Sequence, residues 1–271
     1  MDRTEACGVI TLTTDFGLKD PFVGVMKGRI LDRHPAARIV DLTHEILAHW
    51  PAEAGFWLSP SFEYFPRGTV HVAVVDPGVG TGRDIVLVEA AGHLLLAPDN
   101  GLLAPVLARV GSGVVRRLDA TRLGALGLGR ISATFHGRDI FAPLAAELAA
   151  GRVAAAELGP VVQGLVPSWV DDPRSAEGAV NGVVITVDHF GNLISNIDGR
   201  WIAGFVEPHV YAGHRVLPVR RTYGDARPGE FLALVNSFDV LEIACAEGNA
   251  ADGLGLSRGA PIVVRDAVRR S

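Results

Sequence analysis

The chain has 271 residues, of which 48% are hydrophobic and 20% are charged, and its formal net charge at pH 7 is −5. This length suits one large domain or two ordinary ones, and the apolar content excludes a disordered chain. The weak negative charge, with no run of Lys or Arg, disfavours a nucleic-acid partner.

The amino-terminal segment carries charged residues where a signal peptide needs an apolar core. No apolar run approaches the length of a membrane span. Cys7 and Cys245 are the only cysteines, and their contexts form no metal or redox motif. We therefore expect a soluble, reduced, cytoplasmic protein with no membrane partner.

The first predicted strand, residues 8–13, runs into Thr14-Asp15-Phe16-Gly17 and then into a helix over residues 21–33. A carboxylate at a strand end suits hydrogen bonding to a ribose diol. Capping of the following helix is an equally good reading of Asp15 at this stage.

A second strand over residues 37–42 precedes His44 and His49, which lie too far apart in sequence to share one helix face as a zinc pair does. We expect no metal there. Trp50 then stands at the head of a helix over residues 51–62, where it either stacks on a base or packs in the core.

The stretch from Thr69 to Arg83, TVHVAVVDPGVGTGR, is an apolar strand that stops at Asp76 and opens into a Gly-rich loop. Ligands of α/β sheets bind at the carboxyl ends of strands, and glycines let a ligand approach the backbone. Asp76 and Arg83 are therefore candidate site residues. The alternative is a structural turn with a capping Asp and a surface Arg.

A strand pair over residues 84–90 and 93–97 leads to Pro98-Asp99-Asn100-Gly101, a further polar loop that turn chemistry alone explains. Residues 131–135 form a short apolar segment that ends at His136 and enters a helix over residues 140–149. His136 is a helix-proximal hydrogen-bonding residue, or an acid/base group if carboxylates converge on it.

Pro and Gly become frequent between residues 159 and 178, and short alternating segments follow, which predicts a β-barrel. The strands of this second half are expected at 180–187, 193–197, 216–219, 231–235, 240–244 and 261–265. The predicted fold class is thus α/β: an amino-terminal α/β domain with a mainly parallel sheet (1–165), a linker (166–177) and a carboxy-terminal barrel (178–271).

Three polar clusters interrupt the second half: Asp188-His189-Phe190-Gly191-Asn192, Asn236-Ser237-Phe238 ahead of Glu242, and Gly248-Asn249-Ala250-Ala251. Polar groups beside apolar strands need partners, which either turns or a ligand supply. No P-loop or dinucleotide-binding glycine motif occurs.

The segments TTDFGLKDPFVGVMKG, DLTHEI, VVDPGVGTGR, PDNG, FHGRDIFAP, DHFGN, NSF, LEIA and EGNAA span nearly the whole chain in order. This set resembles the S-adenosyl-L-methionine hydroxide adenosyltransferase family, the adenosine-forming relatives of fluorinase and chlorinase. The resemblance implies an α/β domain followed by a β-barrel, and a homotrimer with active sites between subunits. It also implies hydrolysis of S-adenosyl-L-methionine (SAM) to adenosine and L-methionine, with SAM as substrate and no cofactor.

Matched position by position, the resemblance implies that Asp76, Arg83 and His136 surround the attacking water and that Asp15 binds the ribose diol. Trp50 falls near the nucleoside, with Phe16, Asp99 and Asn100 as further substrate contacts. The remaining implied contacts are Asp188, Phe190, Asn192, Ser237 and Glu242 for methionine and nucleoside, and Asn249 and Ala250 for adenine. Asp239 departs from the family, where we expect Gly.

The chemistry suits these residue types, because a neutral thioether leaves and no acid has to protonate it. A positioned oxygen nucleophile is what the reaction needs, and Asp76 with His136 can orient or deprotonate a water. A pocket for a halide nucleophile would lack such a carboxylate, because a carboxylate would repel the anion. Two alternatives stay open at this stage: a SAM-dependent halogenase, and a non-catalytic protein that binds SAM or adenosine.

Overall fold

The computed structural model describes residues 5–267, and the chain divides into two compact units, Met1–Trp169 and Val170–Ser271. The boundary falls within the segment 166–177 that the sequence predicts as a linker. Among the described residues, no helix is both long enough and apolar enough to cross a membrane.

The first unit contains a mixed sheet flanked by helices. Its strands are β1 (Val9–Thr14), β2 (Arg38–Thr43), β3 (Val70–Val74), β4 (Ile85–Ala90), β5 (His93–Pro98) and β6 (Val114–Arg117). Its helices are α1 (Phe22–Arg33), α2 (Pro51–Ser61), α3 (Ala104–Val110), α4 (Ala120–Ala125), α5 (Ala142–Ala149) and α6 (Ala155–Leu158).

The sheet has the order β2-β1-β3-β5-β4-β6. The pairs β2-β1, β1-β3 and β3-β5 are parallel, whereas β4 runs antiparallel to both β5 and β6. The prediction of a mainly parallel sheet is therefore confirmed. Every residue of β1, β3 and β5 is buried, because helices cover both faces of the sheet.

Two hydrophobic clusters occupy the two faces of this sheet. Leu12 and Leu96 pack with Met26 of α1 and Leu144 of α5 on one face. On the other face, Ala73, Val75 and Leu95 pack with Leu58 of α2, Phe62 just after α2 and Val106 of α3. This double cover explains why the strands appear in the sequence as continuous apolar runs.

The carboxyl ends of β1 and β3 lie at the same edge of the sheet, because the two strands are adjacent and parallel. Asp15 directly follows β1, and Asp76 follows β3 after Val75. The expectation that both carboxylates line one end of one sheet is confirmed.

The expectation that His136 also lies at a strand tip is wrong. Residues 131–135 form no strand, and His136 instead precedes a π-helical turn, Gly137–Phe141, that continues into α5. The backbone N–H of Ser132 donates to the carboxylate of Asp139, and the Ser132 and Thr134 hydroxyls lie 3.2 Å apart. These local hydrogen bonds give polar groups of the segment partners that a neighbouring strand would otherwise supply.

The second unit is an eight-stranded antiparallel sheet. Its members are β7 (Arg174–Ala176), β8 (Ala179–Val187), β9 (Leu193–Asp198), β10 (Pro208–Ala212), β11 (Arg215–Pro218), β12 (Phe231–Val235), β13 (Val240–Cys245) and β14 (Pro261–Asp266), with helix α7 at Ala250–Leu254. The order is β11-β10-β14-β8-β9-β13-β12, with β7 on β8. A bridge between Val219 and Ala233 joins the two outer strands and nearly closes a barrel, as predicted.

Three short strands are absent from the predicted set: β6, β7 and β10. β6 contains two arginines and follows a Gly-rich turn, β7 is exposed throughout, and β10 begins with Pro208. Their local signals are weak because pairing with a longer neighbour, rather than propensity, stabilises them.

Candidate active site

The Gly-rich loop after β3 brings Arg83 back onto Asp76. The Nε–H of Arg83 lies 2.9 Å from both carboxylate oxygens of Asp76, and Nη2 donates to Oδ2 as well. Only 5% of the Asp76 side chain and 11% of the Arg83 side chain are exposed. A charge pair this well shielded, with the planar fork of Arg on a carboxylate, fixes the geometry of both groups.

Arg83 also donates to His136, whose Nδ1 lies 2.9 Å from Nη2. A guanidinium cannot accept a hydrogen bond, so Nδ1 must carry the lone pair and Nε2 the proton. Burial lowers the pKa of His136, and the Arg83 charge lowers it further, against the opposite effects of Asp76 and Asp139. His136 is therefore held as a neutral imidazole that presents an N–H donor.

Two loops meet closely at Gly80 to make this arrangement. Gly80 has φ +77°, and a Cβ added there would lie 2.1 Å from the carbonyl oxygen of Ala133. Only Gly tolerates both the left-handed backbone and this approach. The contact holds the loop that carries Arg83 against the segment that leads into His136.

Asp15 does not cap α1, since Pro21 takes the N-cap position and no side chain caps it. Its Oδ2 instead accepts the backbone N–H of His49 at 2.9 Å, and His49 has φ +63°. Trp50 follows directly, at the N-cap of α2, where its ring packs edge-on against Trp169 with centroids 5.5 Å apart. Asp15 and Trp50 thus belong to one local structure.

Phe16 links this structure to the His136 segment. Its ring makes edge contacts with Phe22 and Phe135 at centroid distances of 6.2 and 5.9 Å, and Gly137 lies against the rings of Phe16 and Phe135. Asp15 on one loop and His136 on another are therefore held by a shared aromatic cluster. The side chain of Phe16 therefore packs within this aromatic cluster.

Asp99 and Asn100 use their side chains within the first unit. The Asn100 amide donates to the carbonyl of Val75 at 2.9 Å, next to Asp76, and an Asp99 oxygen accepts the N–H of Val166 at 2.9 Å. Asn100 therefore braces the end of β3, and Asp99 holds a later loop; both contacts reach beyond the local turn.

In the second unit, Asp188 organises the turn that follows β8. Its Oδ1 accepts the N–H groups of Phe190 and Asn192 at 2.9 Å each, and its Oδ2 accepts the Asn192 amide at 3.0 Å. Asn192 is buried, whereas 74% of Phe190 is exposed. Asn249 caps α7 by accepting the N–H of Asp252 at 2.9 Å, and its side chain lies against Gly191.

Glu242 is a nearly buried carboxylate in the same unit, with 2% exposure. The Tyr223 hydroxyl donates to its Oε1 at 2.6 Å, and the Asn236 amide donates to its Oε2 at 3.1 Å. Burial raises the pKa of Glu242, and the same cause with the neighbouring carboxylate raises the pKa of Tyr223. Ser237 is exposed in the adjoining turn, and Ala250 is buried at the start of α7.

Family models match both units of this chain. A model of the SAM hydroxide adenosyltransferase N-terminal domain matches residues 10–159, and a model of the C-terminal domain of that family matches residues 182–263. The chain belongs to the SAM hydroxide adenosyltransferase family.

Four curated relatives of this chain share one name. A protein of Salinispora tropica named (R)-S-adenosyl-L-methionine hydrolase is 40% identical over 253 residues, which cover 92% of this chain and 95% of the relative. A Thermus thermophilus protein of the same name is 39% identical over 254 residues, or 92% and 96% of the two chains. A solved structure of an uncharacterized conserved protein from Thermotoga maritima is similar with a TM-score of 0.86 and 32% identity, covering 94% and 99% of the two chains.

The structure of this family member thus joins some predicted residues directly and leaves others in separate groups. Arg83 is hydrogen-bonded to both Asp76 and His136, and Asp15 accepts the N–H of His49, the residue before Trp50. The second-unit residues gather around Asp188 and Glu242. Within residues 5–267, no group of three His, Cys, Asp or Glu side chains is arranged to hold a metal ion.

Sequence reasoning missed several polar residues that this arrangement uses. Tyr223 completes the bonding of Glu242 beside Asn236, to which the sequence alone gives no role, and Asp139 accepts the N–H of Ser132 in the segment before His136. The buried carboxylate offered one usable signal, because Glu242 lies within an apolar strand and requires donors. Nothing local marks Tyr223 as one of those donors.

Proposed function

We propose that this protein hydrolyses SAM to adenosine and L-methionine. A water oxygen attacks the ribose 5′ carbon, the carbon–sulfur bond breaks, and its electron pair turns the sulfonium into the neutral thioether of methionine. One proton leaves the attacking water. The observation that carries the proposal is the bonded set of Asp76, Arg83 and His136 in a chain whose relatives are named SAM hydrolases.

The charges of this set support water as the nucleophile. Asp76 is a shielded carboxylate, and a halide ion beside it would be repelled. His136 presents a neutral Nε2–H, because its Nδ1 accepts from Arg83. A water molecule can accept that N–H and donate to a carboxylate oxygen, which a halide cannot do.

His136 then acts as a donor that positions the water, and it is not the base while Arg83 occupies Nδ1. Asp76 keeps lone pairs beyond those that Arg83 uses, and it accepts the proton as the carbon–oxygen bond forms. Arg83 stabilises the hydroxide-like oxygen of the transition state. Most of the rate gain comes from holding the oxygen in line with the carbon–sulfur bond.

Substrate binding follows the family assignments. Asp15 accepts hydrogen bonds from the ribose hydroxyls, and Trp50 with Phe16 flanks the nucleoside, near Asp99 and Asn100. Asp188, Phe190, Asn192, Ser237 and Glu242 contact the methionine end and nucleoside, while Asn249 and Ala250 meet adenine. We further propose a cytoplasmic homotrimer, with sites at subunit interfaces and no cofactor. A solution mass other than that of three protomers would contradict the trimer.

Product analysis in isotopic water tests the reaction. The protein is incubated with SAM in H₂¹⁸O, with and without chloride or fluoride. The nucleosides are then separated by chromatography and their masses are measured by mass spectrometry. Adenosine with one ¹⁸O at the 5′ position supports attack of water at carbon. A halide-dependent 5′-halo nucleoside would make the protein a halogenase, and tight binding of SAM without any product would make it a binding protein.

A further inference from the structure

A chain of polar side chains lies behind the loop that carries Asp15. The N–H of Phe16 donates to the hydroxyl of Thr14 at 3.2 Å, and that hydroxyl lies 2.9 Å from Nδ1 of His44. Nε2 of His44 lies 3.0 Å from an oxygen of Asp41, with its N–H directed off the oxygen, so this second contact is mainly electrostatic. The ammonium of Lys27, on α1, closes the chain at 2.6 Å from the other Asp41 oxygen.

The charges set the direction of these contacts. Asp41 faces Lys27 and His44; burial alone would raise its pKa, but the interactions with these two groups outweigh burial and lower it. Nε2 faces this carboxylate and carries a proton. In the neutral ring Nδ1 is then an acceptor, so the hydroxyl of Thr14 donates to His44 while it accepts from Phe16.

The same loops are joined through their backbones. The N–H of Gly17 donates to the carbonyl of His44 at 2.8 Å, and the N–H of Ile46 donates to the carbonyl of Thr14 at 3.4 Å. With the His49 N–H on the Asp15 carboxylate, the loop after β1 is fixed to the loop after β2 on both sides of Asp15. The side-chain network therefore supports one rigid pair of loops.

The order Thr, His, Asp resembles a catalytic triad, but Thr14 cannot be a nucleophile. The solvent-exposed fraction is 0% for Thr14 and 4% for His44, so no substrate reaches the Thr14 hydroxyl. The hydroxyl already accepts one hydrogen bond and contacts the imidazole. What remains for this network is control of loop geometry.

We propose that Thr14 and His44 are positioning residues that set the Asp15 carboxylate for the ribose of the substrate. The proposal rests on the proposed function, because it is the nucleoside that Asp15 would bind. Catalytic and binding groups need support of this kind from hydrogen-bonded neighbours, since small displacements cost binding and rate. The ribose contact exists before and during bond breaking, so its loss should raise KM more than it lowers kcat.

The test uses isosteric pairs. Thr14→Val removes the hydroxyl, Thr14→Ser keeps it, and His44→Leu removes both ring nitrogens. Thr13→Val is the matched control, because Thr13 is the neighbouring buried threonine on β1 and its hydroxyl has no hydrogen-bond partner within residues 5–267. Adenosine release gives KM and kcat, and mass spectrometry of amide hydrogen exchange follows peptides over residues 14–18 and 44–50.

We expect KM for SAM to rise about tenfold in Thr14→Val and His44→Leu, the effect of losing about 1.4 kcal/mol, with kcat changed far less. The double variant should be no worse than the poorer single one, exchange in both peptides should accelerate, and Thr14→Ser and Thr13→Val should resemble the wild type. An unchanged KM in both variants, or an equal rise in Thr13→Val, overturns the proposal. If the wild type releases no adenosine, the proposed function fails instead, and unchanged exchange in Thr14→Val then also overturns the loop assignment.

Discussion

Acid should destabilise the first unit through a buried pair of imidazoles. His71 on β3 lies between Thr11, whose hydroxyl is 2.8 Å from its Nδ1, and His93, whose Nδ1 is 3.2 Å from its Nε2. The exposure of His71 is 1% and that of His93 is 3%, and the ring of Phe62 packs edge-on against both. Burial lowers the pKa of His71 to about 3, and the charge of His93 adds to the effect.

The sign of the pH effect follows from linkage. Between pH 6.5 and about 3 the unfolded chain binds a proton at His71 that the folded chain excludes, so the stability is complete above pH 6.5 and falls as the pH falls. The slope from this one group is about 1.4 kcal/mol per pH unit. Acidification from pH 6.5 by about two units should thus cost about 3 kcal/mol, a large part of the ~5–15 kcal/mol that stabilises a domain.

Urea unfolding across this pH range measures the slope. Trp50, Trp57 and Trp169 lie in the first unit and Trp201 in the second, so a Trp201→Phe background makes tryptophan fluorescence a reporter of the first unit. His71→Gln should reduce the slope of the unfolding free energy against pH by up to about 1.4 kcal/mol per pH unit, the contribution of one group. His214→Gln, at an exposed position, should leave this slope unchanged. Equal slopes for wild type and His71→Gln would refute the reasoning.

Four further expectations concern the site and one turn. Gly80→Ala should lower kcat about 10²-fold, because the added Cβ meets the Ala133 carbonyl. A Cβ added at Gly82 has no atom within 4 Å, so the kcat of Gly82→Ala should stay near the wild-type value in the same adenosine assay. The acid limb of kcat/KM should lie below pH 6.5, because the lowered pKa of His136 keeps it neutral, and Arg83→Gln should move that limb upward in single-turnover profiles. Asp76→Ala and His136→Ala should each lose about 10²–10⁴ in single turnover, and the double variant little more; near-normal rates in both would reduce the site to one that only excludes bulk water. Asp239 has φ +60°, so Asp239→Gly should raise the free energy of unfolding of the second unit by about 0.5–1 kcal/mol in thermal unfolding. A lower free energy of unfolding would contradict backbone strain at this position.

The parts of the fold that sequence predicts well are those in which burial leaves a simple pattern. β1, β3 and β5 are buried on both faces, so they appear as apolar runs, and β12 is a continuous apolar run as well. The shared edge of Asp15 and Asp76 follows from parallel pairing alone. These inferences use only the geometry of strands and sheets.

The contacts inside the site are of another kind. Arg83 and His136 are 53 positions apart, and no periodic pattern connects them. Tyr223 and Glu242, or Thr14 and His44, meet only because strands from different parts of the chain pair in one register. For the first of these contacts the family resemblance supplied the expectation, and for the others nothing did, because a single sequence holds no record of which turns meet in space.

The bonded set around Arg83 also explains how one site can serve a cationic substrate without an acid. Arg83 donates to the Asp76 carboxylate and to the imidazole of His136, so its charge is shared between an anion and a neutral ring. The cluster as a whole then carries no net positive charge to repel a sulfonium. A protonated His136 would lose its bond from Arg83 and add a second cation beside it, which burial opposes. Under the proposed function, the same guanidinium that holds Asp76 in place therefore keeps His136 in the one form that can donate to a neutral water.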